Sequence, residues 1–164
     1  MSADAEGGFR DATVCIVGLG LMGGSLAMAL RGKVARITAQ DANPAVIESA
    51  LAASMIDAEG APAEADIIVL ATPAHVILDL IPALGVRVAQ RRLRKAPGAL
   101  VIDLGSTKGR ICEALDGLPE GVLAVGGHPM CGLAGNGYAN ATPGLYAGAR
   151  LVACGTAGTP PPAR

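Results

Sequence analysis

Residues 12–23 read ATVCIVGLGLMG, a mainly apolar run that passes directly into a turn with three spaced glycines. A short apolar run of this kind is typical of a strand buried on both faces of a sheet. Gly18, Gly20 and Gly23 fit the spacing G-x-G-x-x-G, and the residues after them favour a helix over 21–30. Such spacing is weak evidence alone, but its place between a strand and a helix predicts a dinucleotide-binding βα unit.

Asp41 supports the same prediction, because it follows the next predicted strand (residues 35–39) and lies 18 positions after Gly23. In a unit of this type the first glycine permits the tight turn, the second lets the backbone approach a pyrophosphate, and the third lets the helix pack on the strand. The helix N-terminus attracts the pyrophosphate. Asp41 would bind the adenosine ribose hydroxyls and repel a 2′-phosphate, which favours NAD over NADP.

The predicted cofactor-binding residues share this turn and the neighbouring strand ends; they are Gly18, Leu19, Gly20, Leu21, Met22, Gly23, Asp41 and Thr72. The alternative is a βα turn without a ligand beside a surface aspartate, which the sequence context disfavours. Ser25 is either a packing hydroxyl or a phosphate contact, with packing favoured. Thr72 and Pro73 either line the nicotinamide side of the crevice or mark a helix start.

Outward from this unit, β-rich runs alternate with helical patterns. The pattern predicts further strands at 67–73, 100–104, 122–125 and 151–154, and helices at 43–54, 76–84 and 108–115. This alternation implies right-handed βαβ crossovers, and so an α/β Rossmann-type doubly wound, mostly parallel sheet with helices on both faces. We expect a flexible N-terminus (1–11), one domain (12–154) and a Pro/Gly-rich tail (155–164).

Composition excludes several classes of function. The net charge of −1 gives no attraction for nucleic acid or an anionic membrane, so the basic run at 91–95 reads as a solvated helix end or loop. With one Phe, two Tyr and no Trp, a platform of stacked aromatics is not available. Four cysteines without a CxxC pair and two histidines argue against zinc, and we expect a reducing cytoplasm. Cys15 and Cys154, inside strand-like runs, are expected to be small core residues.

Candidate catalytic residues lie where predicted strands end, since ligands of such sheets bind at that edge. His128, in a Gly-Gly-His-Pro turn, is a candidate general base for a substrate hydroxyl, and Ser106 would hold its tautomer. Lys108 is equally well an anion-binding residue or an ordinary exposed lysine. His75, near a helix start, is expected to be exposed or capping. Cys131 is expected to pack rather than to act as a nucleophile.

Several motifs in order resemble the prephenate/arogenate dehydrogenase family. They are VGLGLMGGSLA (17–27), LATP (70–73), DLGSTKG (103–109), GGHPMCG (126–132) and NATPGLYAG (140–148). The resemblance implies NAD-dependent oxidative decarboxylation of prephenate or arogenate in tyrosine biosynthesis, with His128 and Ser106 as the catalytic pair and Ser106, Lys108 and His128 binding substrate.

The same resemblance implies a C-terminal helical domain that this sequence lacks. We therefore expect a truncated enzyme, and a homodimer only where that domain is present. The alternative is a non-catalytic NAD-binding module or a degenerate remnant, which Ala134 favours, since the family usually has Glu there. A different β-hydroxyacid or imine-type dehydrogenase would share the opening turn, but GGHPMCG speaks against it.

Overall fold

A computed structural model describes residues 9–93, 99–120, 122–135 and 137–156. The strands are β1 (Thr13–Val17), β2 (Arg36–Gln40), β3 (Ala58–Glu59), β4 (Ile67–Leu70), β5 (Leu100–Asp103), β6 (Leu123–Pro129) and β7 (Leu151–Gly155). The α-helices are α1 (Leu21–Leu30), α2 (Pro44–Ala52), α3 (Ala74–Leu93) and α4 (Gly109–Asp116). Short 3-10 helices occupy Pro62–Glu64 and Tyr138–Asn140.

Across the described residues the strands form one sheet in the order β3-β2-β1-β4-β5-β6-β7. All neighbouring pairs are parallel except β6 and β7, which are antiparallel. One face of the sheet packs against α3 and α4, and the other against α1 and α2, each with its own apolar core. This is the doubly wound Rossmann-type fold that the alternation predicts.

The register brings the ends of the central strands to one level. Val17 aligns with Leu70, Leu70 with Asp103, and Asp103 with Gly126. Strand order reverses between β1 and β4, because the chain runs outward from β1 in both directions. A crevice opens at such a switch point, at the carboxyl ends of the strands.

Helix α3 is longer than predicted. The sequence pattern places a helix at 76–84 followed by a basic connector, whereas one helix of 20 residues runs through Arg91 and Arg92. It carries Pro82 in its interior, at an exposed position. Its buried residues Ile77, Ile81, Leu84 and Val88 recur at helical spacing in the core, and this packing outweighs the proline's lost hydrogen bond.

Strand β6 also extends beyond its predicted end at residue 125, because β7 pairs with it from Val125 to Pro129. His128 therefore lies within a strand, opposite Val152, and not in the predicted turn. The third predicted strand, 67–73, ends earlier at Leu70. The short β3 had no sequence signal.

The described structure continues for two residues past 154, where we expect the domain to end. Gly155 belongs to β7, and the buried Thr156 donates its hydroxyl hydrogen to the carbonyl oxygen of Ala124 across 2.7 Å. Residues 1–8 of the predicted flexible N-terminus (1–11), the basic residues Arg94 and Lys95, and residues 157–164 of the predicted tail lie outside the described residues. Within the described part of the chain, no helix is both long and apolar enough to cross a membrane.

Candidate functional site

A cleft of about 510 Å³ lies at the switch point between β1 and β4. Two backbone hydrogen bonds shape its floor: Gly18 N–H donates to the carbonyl of Gln40, and Ala71 N–H to that of Val17, both across 2.8 Å. The residues lining it come from four strand ends and α3; they are Val17, Gly18, Gly20, Gln40, Asp41, Ala42, Glu59, Ala71, Thr72, Pro73, Val76 and Leu80. The cleft thus gathers both halves of the predicted dinucleotide site.

The three glycines of the turn differ in their surroundings. Gly18 has a φ of 93°, and a Cβ there would lie 3.0 Å from the carbonyl oxygen of Ala71. A Cβ at Gly23 would lie 1.9 Å from the carbonyl oxygen of Gly18, so the helix can approach the turn only without a side chain. At Gly20 a Cβ would meet nothing within 4 Å. The steric roles predicted for Gly18 and Gly23 are therefore confirmed. The space beside Gly20 is open, at the point where the protein backbone is predicted to approach a pyrophosphate.

Helix α1 presents an uncapped N-terminus to this space. Gly20 is its N-cap and supplies no side-chain hydrogen bond, and no acidic residue stands in the first turn. The first-turn N–H groups, those of Leu21, Met22 and Gly23, therefore have no side-chain cap, and the first turn itself contains no carboxylate. Such an end carries a partial positive charge and suits a phosphate group.

Asp41 is hydrogen-bonded to the glycine turn and also lines the cleft. Its Oδ2 accepts a hydrogen bond from Leu19 N–H across 2.7 Å, and its Oδ1 accepts one from Asn43 N–H across 2.9 Å. Leu19 is fully buried, so its contribution is structural. Each carboxylate oxygen has a second lone pair, which leaves Asp41 able to accept the predicted ribose hydroxyls.

Two further polar residues, Thr72 and Glu59, line the cleft. The hydroxyl oxygen of Thr72 is buried without a hydrogen-bond partner among the described residues, and the sequence had placed this side chain in the crevice. Glu59, on the short strand β3, lines the cleft together with Asp41. Sequence reasoning missed Glu59 because a two-residue strand leaves no periodic pattern.

A second group of polar residues lies two strands away. Asp103, at the end of β5, is fully buried and forms an ion pair with Lys108, whose side chain is 16% exposed. The ammonium of Lys108 also donates to the carbonyl oxygen of Gly127 across 2.7 Å. Lys108 is therefore neither an ordinary exposed lysine nor a free cation. Its predicted contact with substrate stays a prediction.

His128 is half-buried and extends past the level at which the parallel strands end. Its Nδ1 atom is buried and has no hydrogen-bond partner in the described parts of the chain. Ser106 is exposed in the turn between β5 and α4, and no hydrogen bond joins it to His128 among the described residues. The predicted hydrogen bond between Ser106 and His128 is thus absent from the described structure. The role of the two residues in catalysis stays a prediction. His75 is exposed in the first turn of α3, as expected.

The segment after β6 folds back over α1. Thr142 N–H donates to the hydroxyl oxygen of Ser25 across 2.9 Å, and the Tyr146 hydroxyl donates to the carbonyl of Met22 across 2.8 Å. Burial, and then the nearby Cys131, raises the pKa of Tyr146 above its usual value. Ser25, fully buried, is therefore a packing hydroxyl, as favoured from sequence. No group of three or more potential metal ligands occurs within the described residues.

Comparison with known proteins places these features in a family. The chain is 32% identical over 146 residues to a prephenate dehydrogenase of Lactococcus lactis, covering 85% of this chain and 40% of that protein. The crystal structure of Synechocystis arogenate dehydrogenase matches with a TM-score of 0.78 and 31% identity, over 91% of this chain and 52% of that one. Prephenate dehydrogenase from Aquifex aeolicus, solved with hydroxyphenyl propionate and NAD+, matches with a TM-score of 0.79 and 28% identity, over 93% and 54%.

This chain therefore spans about two fifths to one half of the length of these relatives. Residues 26–163 match the family described as "Prephenate dehydrogenase, nucleotide-binding domain". The matched region begins just after the glycine turn. With most of its length matched, the chain belongs to the family of prephenate dehydrogenase nucleotide-binding domains.

Proposed function

We propose that this chain binds NAD in the cleft between β1 and β4 and forms the nucleotide-binding part of an enzyme that oxidatively decarboxylates prephenate or arogenate for tyrosine synthesis. One observation carries the proposal: Asp41 is hydrogen-bonded to the glycine turn at the mouth of a cleft of about 510 Å³. The turn, the uncapped helix and the carboxylate are the parts that a dinucleotide requires. The Aquifex relative solved with NAD+ supports the choice of cofactor.

Charge in the cleft favours NAD over NADP. Asp41 and Glu59 both line it, and none of the described lining residues is Lys or Arg. Two carboxylates would repel the 2′-phosphate of NADP, whereas the free ribose hydroxyls of NAD donate hydrogen bonds to a carboxylate.

His128 is the proposed general base. Its position past the end of β5 places it at the same edge of the sheet as the cleft, and an imidazole can take up a hydroxyl proton near neutral pH. When bound, the nicotinamide supplies the hydride acceptor. Ser106 stands in the turn between β5 and α4, and we expect substrate binding to bring its hydroxyl to the ring.

A second candidate is an NAD-binding module without turnover. The absence of a hydrogen bond between Ser106 and His128 among the described residues favours it. The two candidates agree on the cofactor and differ only in chemistry, so separate experiments test the two parts.

Calorimetric titration tests the cofactor site. We expect the wild-type chain to bind NAD and to bind NADP at least tenfold more weakly. Gly20→Ala should fold, since a Cβ there meets nothing within 4 Å, but should lose most of its NAD affinity. Gly144→Ala is the matched control, because a Cβ at that position also meets nothing. If folded wild-type protein shows no affinity for NAD at millimolar concentration, the proposal is wrong.

Turnover is tested by absorbance at 340 nm with NAD and either prephenate or arogenate, on this chain and on a version extended by its downstream coding sequence. His128→Asn should abolish turnover and keep NAD binding, whereas His75→Asn, on an exposed helix residue, should change neither. NAD binding without turnover by either protein would favour the non-catalytic candidate.

A further inference from the structure

We propose that Asp103 and Lys108 are positioning residues for His128, acting through the backbone of Gly127. The inference rests on the proposed role of His128 as the base, and it assigns Lys108 a task other than substrate binding. Asp103 is fully buried at the end of β5, and Lys108 stands directly before α4, so two elements converge on one point of β6.

The pair holds Gly127 from both sides. Gly127 N–H donates to Oδ1 of Asp103 across 3.2 Å, while the carbonyl oxygen of Gly127 accepts from the Lys108 ammonium across 2.7 Å. The ion pair between Lys108 and Oδ2 of Asp103 closes the triangle. The carbonyl of Gly127 belongs to the same planar peptide as the nitrogen of His128, so fixing one orients the other.

This support matters because the residues before His128 are two glycines. Glycine has the largest conformational freedom of any residue, and an unrestrained Gly126-Gly127 pair would let the histidine backbone sample many directions. Close packing requires them: a Cβ at Gly127 would lie 2.6 Å from the carbonyl oxygen of Asp103, and one at Gly126 would lie 2.7 Å from Sγ of Cys112. The glycines let β6 approach the ion pair, and the ion pair holds Gly127 in addition to the pairing of β6 with β7.

Overall stability alone is a poor explanation for this arrangement. Removing two charges from water costs about as much as their attraction returns, so buried ion pairs contribute little net stability. Oδ2 of Asp103 also accepts a hydrogen bond from Gly105 N–H across 2.9 Å. The turn that contains Ser106 is therefore bonded to the same carboxylate. One buried carboxylate thus sets both the strand with His128 and the loop with Ser106.

Nuclear magnetic resonance of uniformly ¹³C,¹⁵N-labelled protein tests the proposal, because the chain has only two histidines and exposed His75 serves as the internal reference. In Lys108→Met we expect the ring signals of His128 and the amide signal of Gly127 to shift or broaden, with His75 unchanged. Lys33→Met, which removes an exposed ammonium, should leave all three unchanged. Signals of His128 and Gly127 in folded Lys108→Met that superimpose on the wild type would overturn the proposal, as would an equal change at His75.

Wild-type protein provides a second test that does not depend on a variant folding. The Lys108 ammonium should exchange slowly with water and give a resolved signal with a coupling to the carbonyl carbon of Gly127, unlike that of Lys33. Absence of this slow exchange and coupling would also overturn the proposal. NAD titration of the same samples separates the proposed function from the positioning of His128. Absence of NAD binding by the wild type contradicts the proposed function, whereas the signals of His128 report on its positioning alone.

Discussion

The backbone N–H of Leu19 donates a hydrogen bond to Oδ2 of Asp41 across 2.7 Å, although the two residues are 22 positions apart. The same carboxylate lines the cleft beside Gly20. Asp41 therefore links the shape of the glycine turn to the charge that a ligand would meet. A change at this residue should alter both properties, and the two effects can be measured separately.

Asp41→Asn should weaken NAD binding about tenfold, or about 1.4 kcal/mol, because the amide keeps one oxygen acceptor but loses the charge that strengthens its hydrogen bonds. The preference for NAD over NADP should narrow, since the repulsion of the 2′-phosphate is reduced. Calorimetry with both dinucleotides measures this. Asp11→Asn, at an exposed position, is the control. An unchanged ratio of the two affinities would contradict a role for Asp41 in selecting the cofactor.

Gly23→Ala should destabilise the fold by about 3 kcal/mol or more, since the new Cβ would lie 1.9 Å from a backbone oxygen that cannot move aside. Urea denaturation measures the free energy of unfolding. Gly144→Ala, with open space at its Cβ, should stay close to the wild type. Equal stability of the two variants would mean that α1 does not approach the turn as closely as described.

Ser25→Ala should lower the free energy of unfolding by about 1–3 kcal/mol, because the N–H of half-buried Thr142 loses its acceptor, the hydroxyl of fully buried Ser25. Ser49→Ala is the matched control: Ser49 is exposed on α2 and its hydroxyl bonds only within its own helix. Denaturation curves followed by far-ultraviolet circular dichroism compare the two. A loss no larger in Ser25→Ala than in Ser49→Ala would argue against attachment of the segment after β6 to α1.

Stability should decline at alkaline pH. Burial raises the pKa of the Cys15 and Cys112 thiols and of the Tyr146 phenol, so each holds its proton more tightly when folded than when unfolded. Their contribution is complete below the ordinary pKa values, about 8.5 for cysteine and about 10 for tyrosine, and is lost as pH rises above them.

Tyr146→Phe isolates the phenol in this dependence. The variant should be less stable than the wild type near neutral pH, because the carbonyl of Met22 loses its donor. Between pH 10 and pH 11, however, its free energy of unfolding should decrease less than that of the wild type, because phenylalanine has no phenol to titrate. Unfolding measured at a series of pH values gives both slopes. Identical slopes above pH 10 would mean that Tyr146 titrates normally in the folded protein.

The fold and the cofactor turn could be predicted because their signals are local. The apolar run of β1, the glycine spacing and helix α1 are contiguous in the chain, and the steric reasons for Gly18 and Gly23 follow from that order. The helix bounds Leu21–Leu30 agree with the prediction for the same reason.

The surroundings of His128 and Lys108 could not be predicted in the same way. A Gly-Gly-His-Pro sequence is typical of a turn, and only pairing with β7, more than 20 residues later, makes it a strand. From sequence, Lys108 is equally well an anion-binding residue or an exposed lysine, because nothing local indicates that the buried carboxylate of Asp103 and the Gly127 carbonyl meet its ammonium.

By itself, the sequence determined the alternation of strands and helices and the glycine turn answered by Asp41, since backbone sterics and apolar periodicity act over short stretches. Only the tertiary structure decided which polar groups meet at the edge of the sheet: Glu59 and Asp41 line one cleft, and Asp103 and Lys108 both bond to Gly127. The physical reason is that hydrogen bonds and ion pairs depend on the distance between atoms in space, and strand order and register set that distance for residues far apart in the chain.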